Sequence, residues 1–166
     1  MKSGDGRFAR MMVAILLCSW PAAAREAKGT ITYETKGVPI VVAVKYAYLM
    51  VGPDTVSGKT VRRIVVSTVD VLTALRKCEA MFCADGGIEE GMTIDLDAGD
   101  RVNYWFVANG QRVQYSGTAD ISTLALTSNA GQRVAGSWNL DARKSGGPQI
   151  RIEFDAALVK ELTKQK

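Results

Sequence analysis

The 166-residue sequence contains no histidine, and that absence removes more chemistry than any motif adds. It excludes Ser-His-Asp and Cys-His catalysis as usually built. It excludes histidine-ligated zinc, copper and non-haem iron, blue-copper sites included. It also removes the side chain that most often serves as acid or base near neutral pH. An enzyme built from this chain would depend on paired carboxylates, lysine, tyrosine or a borrowed cofactor. There is no Gly-rich phosphate loop, no G-x-S-x-G elbow and no metalloprotease helix. Nor is there a block of positive charge. Beyond the short pairs Arg62-Arg63, Arg76-Lys77 and Arg143-Lys144 the basic residues are scattered, unlike the clustered footprint of a nucleic-acid binder. After residue 24 no stretch approaches the roughly 18 consecutive apolar residues of a membrane-spanning helix.

What is present begins with the first 24 residues. Lys2, Arg7 and Arg10 precede the ten apolar residues Met11–Trp20. Pro21 breaks the run, and Ala22-Ala23-Ala24 stands just before Arg25-Glu26. These are the three parts of a secretory signal peptide. A ten-residue helix spans about 15 Å, half of a hydrocarbon core of about 30 Å. Cleavage is therefore expected rather than anchoring, leaving 25–166 as one exported domain with the periplasm as its address. Cys18 follows Leu16-Leu17 instead of a small residue, so it lacks a lipidation context and should leave with the signal. The segment removes three basic residues and one acidic residue, so 18 basic and 16 acidic remain and the net charge falls from +4 to +2.

Cys78 and Cys83 are then the remaining cysteines. In an oxidising compartment such a pair reads as a disulfide, and closing its six-residue loop contributes about 2 kcal/mol. The spacing is C-x₄-C, not the C-x-x-C of redox motifs. Two thiolates without neighbouring ligands make a poor zinc site. No cofactor and no metal are expected.

Period-2 alternation dominates the rest. Thr30–Glu34 reads as a short edge strand. Ile40–Met50 is apolar on both faces and reads as a central strand covered on both sides. Val61–Ser67 is a further strand. Val71–Glu79 is the one good helix, with Asp70 or Thr68 as N-cap. From Gly91 onward Met92/Ile94/Leu96, Val102/Tyr104/Phe106, Val113/Tyr115, Leu124/Leu126, Val134/Trp138/Leu140 and Ile150/Ile152/Phe154/Ala156 alternate with polar residues. Asn109-Gly110 marks a hairpin, and Leu158–Lys166 a frayed helical turn. About nine closely spaced strands with one short helix predict an antiparallel β-sandwich, immunoglobulin-like or similar, with a small barrel as the alternative.

Asp95, Asp97 and Asp100 form D-x-D-x-x-D, but the spacing is not that of an EF-hand, and the first two fit a solvated strand face. Glu89-Glu90 and Asp85 read as solvated loop charge. Trp105 is phased opposite Tyr104 and Phe106, so it faces solvent, a covering helix or a partner, and it is the candidate partner-binding residue. Tyr46, Tyr48 and Tyr115 are candidates for lining a ligand pocket; equally, they fill the core with their hydroxyls hydrogen-bonded.

The stretch Arg133-Val134-Ala135-Gly136-Ser137-Trp138, followed by Gly147-Pro148-Gln149-Ile150-Arg151-Ile152-Glu153-Phe154-Asp155-Ala156, resembles the C-terminal strands of small uncharacterised exported β-domain proteins of Gram-negative bacteria. The resemblance implies export and a β-sandwich and brings no catalytic residues. The leading expectation is a non-enzymatic domain that binds an envelope protein or envelope component, without nucleic acid and without a membrane span. The alternatives are a small-ligand carrier and a carboxylate-dependent enzyme.

Overall fold

The computed structural model describes residues 25–54, 57–97 and 99–163. The expected signal segment 1–24 lies outside them. Among the described residues are ten strands and two short helices: β1 Arg25–Thr35, β2 Val38–Ala43, β3 Tyr46–Pro53, β4 Thr60–Ser67, α1 Leu72–Lys77, α2 Cys83–Gly86, β5 Gly91–Leu96, β6 Arg101–Ala108, β7 Val113–Asp120, β8 Leu124–Ala130, β9 Arg133–Asp141 and β10 Gln149–Glu161. All ten join one sheet, mostly antiparallel, in the order β7-β6-β5-β4-β3-β1-β10-β9-β8, with β2 beside β1.

That sheet cannot be flat. Tyr104 on β6 and Trp138 on β9 stand six strand positions apart, about 29 Å at a strand spacing of about 4.8 Å. Their rings meet edge-on with centroids 5.2 Å apart. Tyr33 on β1 likewise reaches Phe106 on β6 at 5.7 Å. The sheet therefore folds over on itself, and its inner face encloses the main core. Met92, Ile94, Phe106, Val134, Trp138, Ile150 and Ala156 are all completely buried there. This is a sandwich-like, mostly β architecture, as the alternation predicts. β7 and β8 follow each other through a single 3₁₀ turn, Ile121–Thr123, yet no pairing joins them, so the sheet does not close into a barrel.

The outer face of β3–β6 carries a second, smaller core. Tyr48, Met50, Val65 and Val107 from the strands meet Val71, Leu75, Met81, Ala84 and Ile88 from the helical segment, with Leu162 beside them. Cys78 and Cys83 are at disulfide distance, S–S 2.15 Å. They hold the end of α1 to the start of α2. Gln111 in the β6–β7 turn donates to the backbone carbonyls of Asp85 (2.9 Å) and Ile88 (2.7 Å), which ties α2 down from the other side. Among the described residues no helix is long and apolar enough to cross a membrane.

Four local expectations are corrected. β1 has eleven residues and is interior for most of its length: β10 lies on one side and β2 on the other, with Tyr46 of β3 opposite Glu26. Ile40–Met50 is two strands. A register shift at Val44-Lys45 divides them, and only β3 is covered on both faces. The helical stretch is two short helices, with Val71 as the first cap, although the Asp70 carboxylate does accept the Leu72 N–H at 2.8 Å. Residues 158–161 continue β10 instead of forming a helical turn, because beyond the start of β1 they pair in parallel with β3.

Candidate functional site

The outer surface of β4–β7 is a lattice set by register. One row reads Arg63, Asp95, Asn103, Thr118 across four strands, and the next reads Val65, Thr93, Trp105, Ser116. α2 sits at one side of these rows and adds Asp85. Together they line an open groove of about 520 Å³.

Arg63 organises it. The residue is 8 % exposed, in phase with apolar Val61 and Val65, so its charge is under cover and must be matched. Its Nε and Nη2 donate to the two oxygens of Asp95 at 2.6 and 2.8 Å. This is the paired fork geometry that makes an arginine–carboxylate contact directional. Nη1 donates to the Met81 carbonyl at 2.9 Å and to Asp85 at 3.0 Å. Burial pushes the Asp85 carboxyl above its ordinary range; the Arg63 charge opposes this, and the Asp95 charge adds to it. One cation thus fixes two carboxylates and the helical segment at once.

Trp105 stands in the second row. One part of its indole packs on the outer core; the rest is half-buried and lines the groove. Among the described residues the Trp105 indole N–H, the Asn103 amide and the Ser116 hydroxyl have no side-chain hydrogen-bond partner. They are left to face whatever enters. The arrangement offers an aromatic surface bordered by fixed polar groups, which suits recognition. Both approaching carboxylates are committed to a guanidinium.

The tyrosines are not brought together. Tyr46 and Tyr48 stack on the outer face, centroids 6.5 Å apart, and Tyr48 donates to Asp70 at 2.6 Å. Burial, together with Asp70, pushes the Tyr48 phenol well above its ordinary range. Tyr115 belongs to the inner face, near Tyr33 and Tyr104. Asp95 and Asp97 also part company. Asp97 leaves the strand at φ 68° and accepts from Arg62 at 2.6 and 2.7 Å, on the opposite face from Arg63. Arg62 also donates to Asn129 of β8. Among the described residues no group of three His, Cys, Asp or Glu side chains could hold a metal ion.

Sequence reasoning read Asp95 as part of a solvated strand face and Asp85 as solvated loop charge, and gave Arg63 no role; the structure pairs both carboxylates with the covered Arg63. The available signal was Arg63 itself: a charge in phase with two valines inside a strand, which needs a buried partner of opposite sign.

The fold and groove define a class: a mostly antiparallel β-domain folded on a single sheet, with a disulfide-pinned helical cover over its outer face. Comparison with known proteins adds no family. No protein-family model matches the chain, and neither the curated proteins nor the solved structures give a significant match.

Proposed function

We propose that the chain is an exported, periplasmic, non-catalytic binding domain, and that the groove beside Trp105 is where it meets a protein or another envelope component. The observation that carries this reading is the half-buried indole set beside a rigid polar row. An aromatic whose base is packed and whose edge is wet loses little freedom on binding, and such residues dominate interface energetics. The commitment of Asp85 and Asp95 to Arg63 favours recognition over acid–base chemistry. The placement of Tyr46 and Tyr48 on the outer face and Tyr115 on the inner one favours this reading over a carrier pocket lined by all three. Export is supported by the signal-like N-terminal pattern and by the Cys78–Cys83 pair.

The test is crosslinking of the tagged protein in its native envelope beside a Trp105→Ala copy, with mass-spectrometric identification of what is captured. One dominant species, lost in the variant while the thermal midpoint holds, is the expected result. Identical capture by both copies would sink the Trp105 assignment.

A further inference from the structure

The β1–β2 hairpin reaches past the body of the sheet. β4 ends at Ser67, whose carbonyl accepts from the Lys45 N–H at 2.9 Å, and the chain then leaves for α1. β2 therefore has β1 on one side and no strand on the other. The register fixes which backbone groups are unused. Thr35 and Val38 close a two-residue turn over Lys36 (φ 52°) and Gly37 (φ 76°), both left-handed as such turns require. Val38, Ile40 and Val42 accordingly turn their backbone groups to β1. The Val44 N–H, donating to Gly29, continues the series. Pro39, Val41 and Ala43 aim outward. The edge presents two N–H groups, from Val41 and Ala43, and three carbonyls, in line with where β4 would have continued. Among the described residues none of them has a backbone partner.

Exposed edges are normally protected by charge, by proline or by a cover. β7 and β8 carry Gln114, Ser116 and Thr118, and Thr127, Ser128 and Asn129. β2 carries no charge at all. Val38 and Val41 are 60 % and 61 % exposed. Pro39 is its one protective residue, and it stands towards one end. Lys36 and Lys45 bracket the strand, both exposed and neither in an ion pair among the described residues.

We propose that β2 is a strand-addition site, which takes an extended, β-branched segment of a partner protein with an acidic residue at each end. The site is separate from the Trp105 groove and does not depend on it. Backbone bonds to Val41 and Ala43 hold the segment, Val41 packs on its side chains, and the terminal carboxylates meet Lys36 and Lys45. The six edge residues span about 20 Å, so an eight-residue segment covers the strand and brings its two ends to one position short of Lys36 and Lys45. A second copy of this chain fits less well. Antiparallel pairing centred on Val41 would set Lys45 against the other copy's Lys36-Gly37 turn, like charge near like charge at both ends.

The probe is a synthetic octapeptide of alternating valine and threonine ended by aspartates, beside the same peptide ended by lysines. At saturation the aspartate peptide slows hydrogen exchange of the Val41 and Ala43 amides by about tenfold or more. At low salt it binds about tenfold more tightly than the lysine peptide, as two exposed ion pairs replacing two repulsions require. Val41→Pro deletes one outward N–H, spares the bonds to β1 and abolishes binding without moving the thermal midpoint. Trp105→Ala leaves binding unchanged. No protection of these two amides by either peptide overturns the proposal, and so does equal affinity for both peptides. Protection that rises with protein concentration alone, with a doubled mass in sedimentation, gives the edge to a second copy and overturns it as well.

Discussion

Replacing Arg63 by methionine takes one cation from a place where it holds two carboxylates and a backbone carbonyl. The side-chain volume is nearly kept, so the loss is electrostatic rather than a cavity. Breaking a fully buried ion pair costs about 3–5 kcal/mol, because the remaining charge is left uncompensated. Here the side chains of Arg63, Asp95 and Asp85 are 10 %, 18 % and 30 % exposed, which places the loss at the low end, about 3 kcal/mol. At about 3 °C per kcal/mol for a domain of this size, the thermal midpoint falls by about 10 °C. The pH dependence follows. Without the guanidinium, the Asp85 carboxyl, which burial already pushes above its ordinary range, loses the charge that opposes the rise, so its folded pKa climbs further above the unfolded one. The penalty is full at neutral pH and is relieved as pH falls through the raised Asp85 value. The difference in midpoint between wild type and Arg63→Met therefore narrows between pH 7 and pH 4. Scanning calorimetry across that range measures it. Replacing Arg63, Asp85 and Asp95 together by apolar residues restores most of the loss, because no unpaired charge remains. A loss below about 1 kcal/mol for Arg63→Met, or a difference that does not shrink in acid, would refute the view that Arg63 is the electrostatic centre of the outer face.

Reducing the Cys78–Cys83 pair, or changing both residues to serine, is expected to cost about 2 kcal/mol for a six-residue loop. Urea unfolding with and without reductant reports it, and a null result would mean the helical cover is held by packing alone. Ala at Gly91 would place its Cβ 2.1 Å from the Val66 carbonyl oxygen at φ 151°. Gly91→Ala should therefore cost about 3 kcal/mol or more in the same assay, whereas alanine at Gly110, with open space around it, should cost only the left-handed strain of its φ of 62°, about 1 kcal/mol. In a spectrophotometric titration of the five tyrosines, Tyr48 and Tyr104 lag. Burial and Tyr115 push the Tyr104 phenol up to about 12. Asp70→Asn brings Tyr48 back towards its ordinary range while Tyr104 stays late; unaltered lag of both would count against the Tyr48–Asp70 bond. The Tyr48 bond and then the Leu72 N–H hold the Asp70 carboxyl below its ordinary range. Its stabilising contribution is therefore present above the unfolded pKa and fades as pH falls through the folded one.

Alternation made the inner core readable. Met92, Ile94 and Leu96, or Ile150, Ile152 and Phe154, can face only one way once one of them is buried. Trp138 fell on the same side by phase, and its Nε1 finds Thr123 at 2.9 Å. The disulfide spacing and the Asn109-Gly110 turn are local signals and carried locally. What failed depended on distant chain. Arg25–Gly29 holds little apolar surface, yet it is a strand because β10 and the β2–β3 edge supply partners on both sides. Ile40–Met50 looks like one strand because both halves are apolar, while the break at Val44-Lys45 falls where β4 ends, with the Lys45 N–H on the Ser67 carbonyl. The groove was hidden for the same reason. Asp95 looks solvated within its own strand and is covered only because Arg63, 32 positions away, and α2 come to meet it.

β10 follows the other described strands in the chain, yet it lies inside the sheet, between β1 and β9. It pairs with β9, with β1 from Arg25↔Ala156 onward, and with β3 at Leu158↔Leu49. Until it is in place, the strands that precede it have a vacant interior lane, bordered by β9 on one side and by β1 and β3 on the other. The connectivity divides the sheet: β3–β7 pair with one another without β10, whereas β8 and β9 are fastened to the other strands through it alone. A chain lacking residues 149–163 should accept that segment when it is supplied as a separate peptide, since the lane it fills is defined by partners already in place.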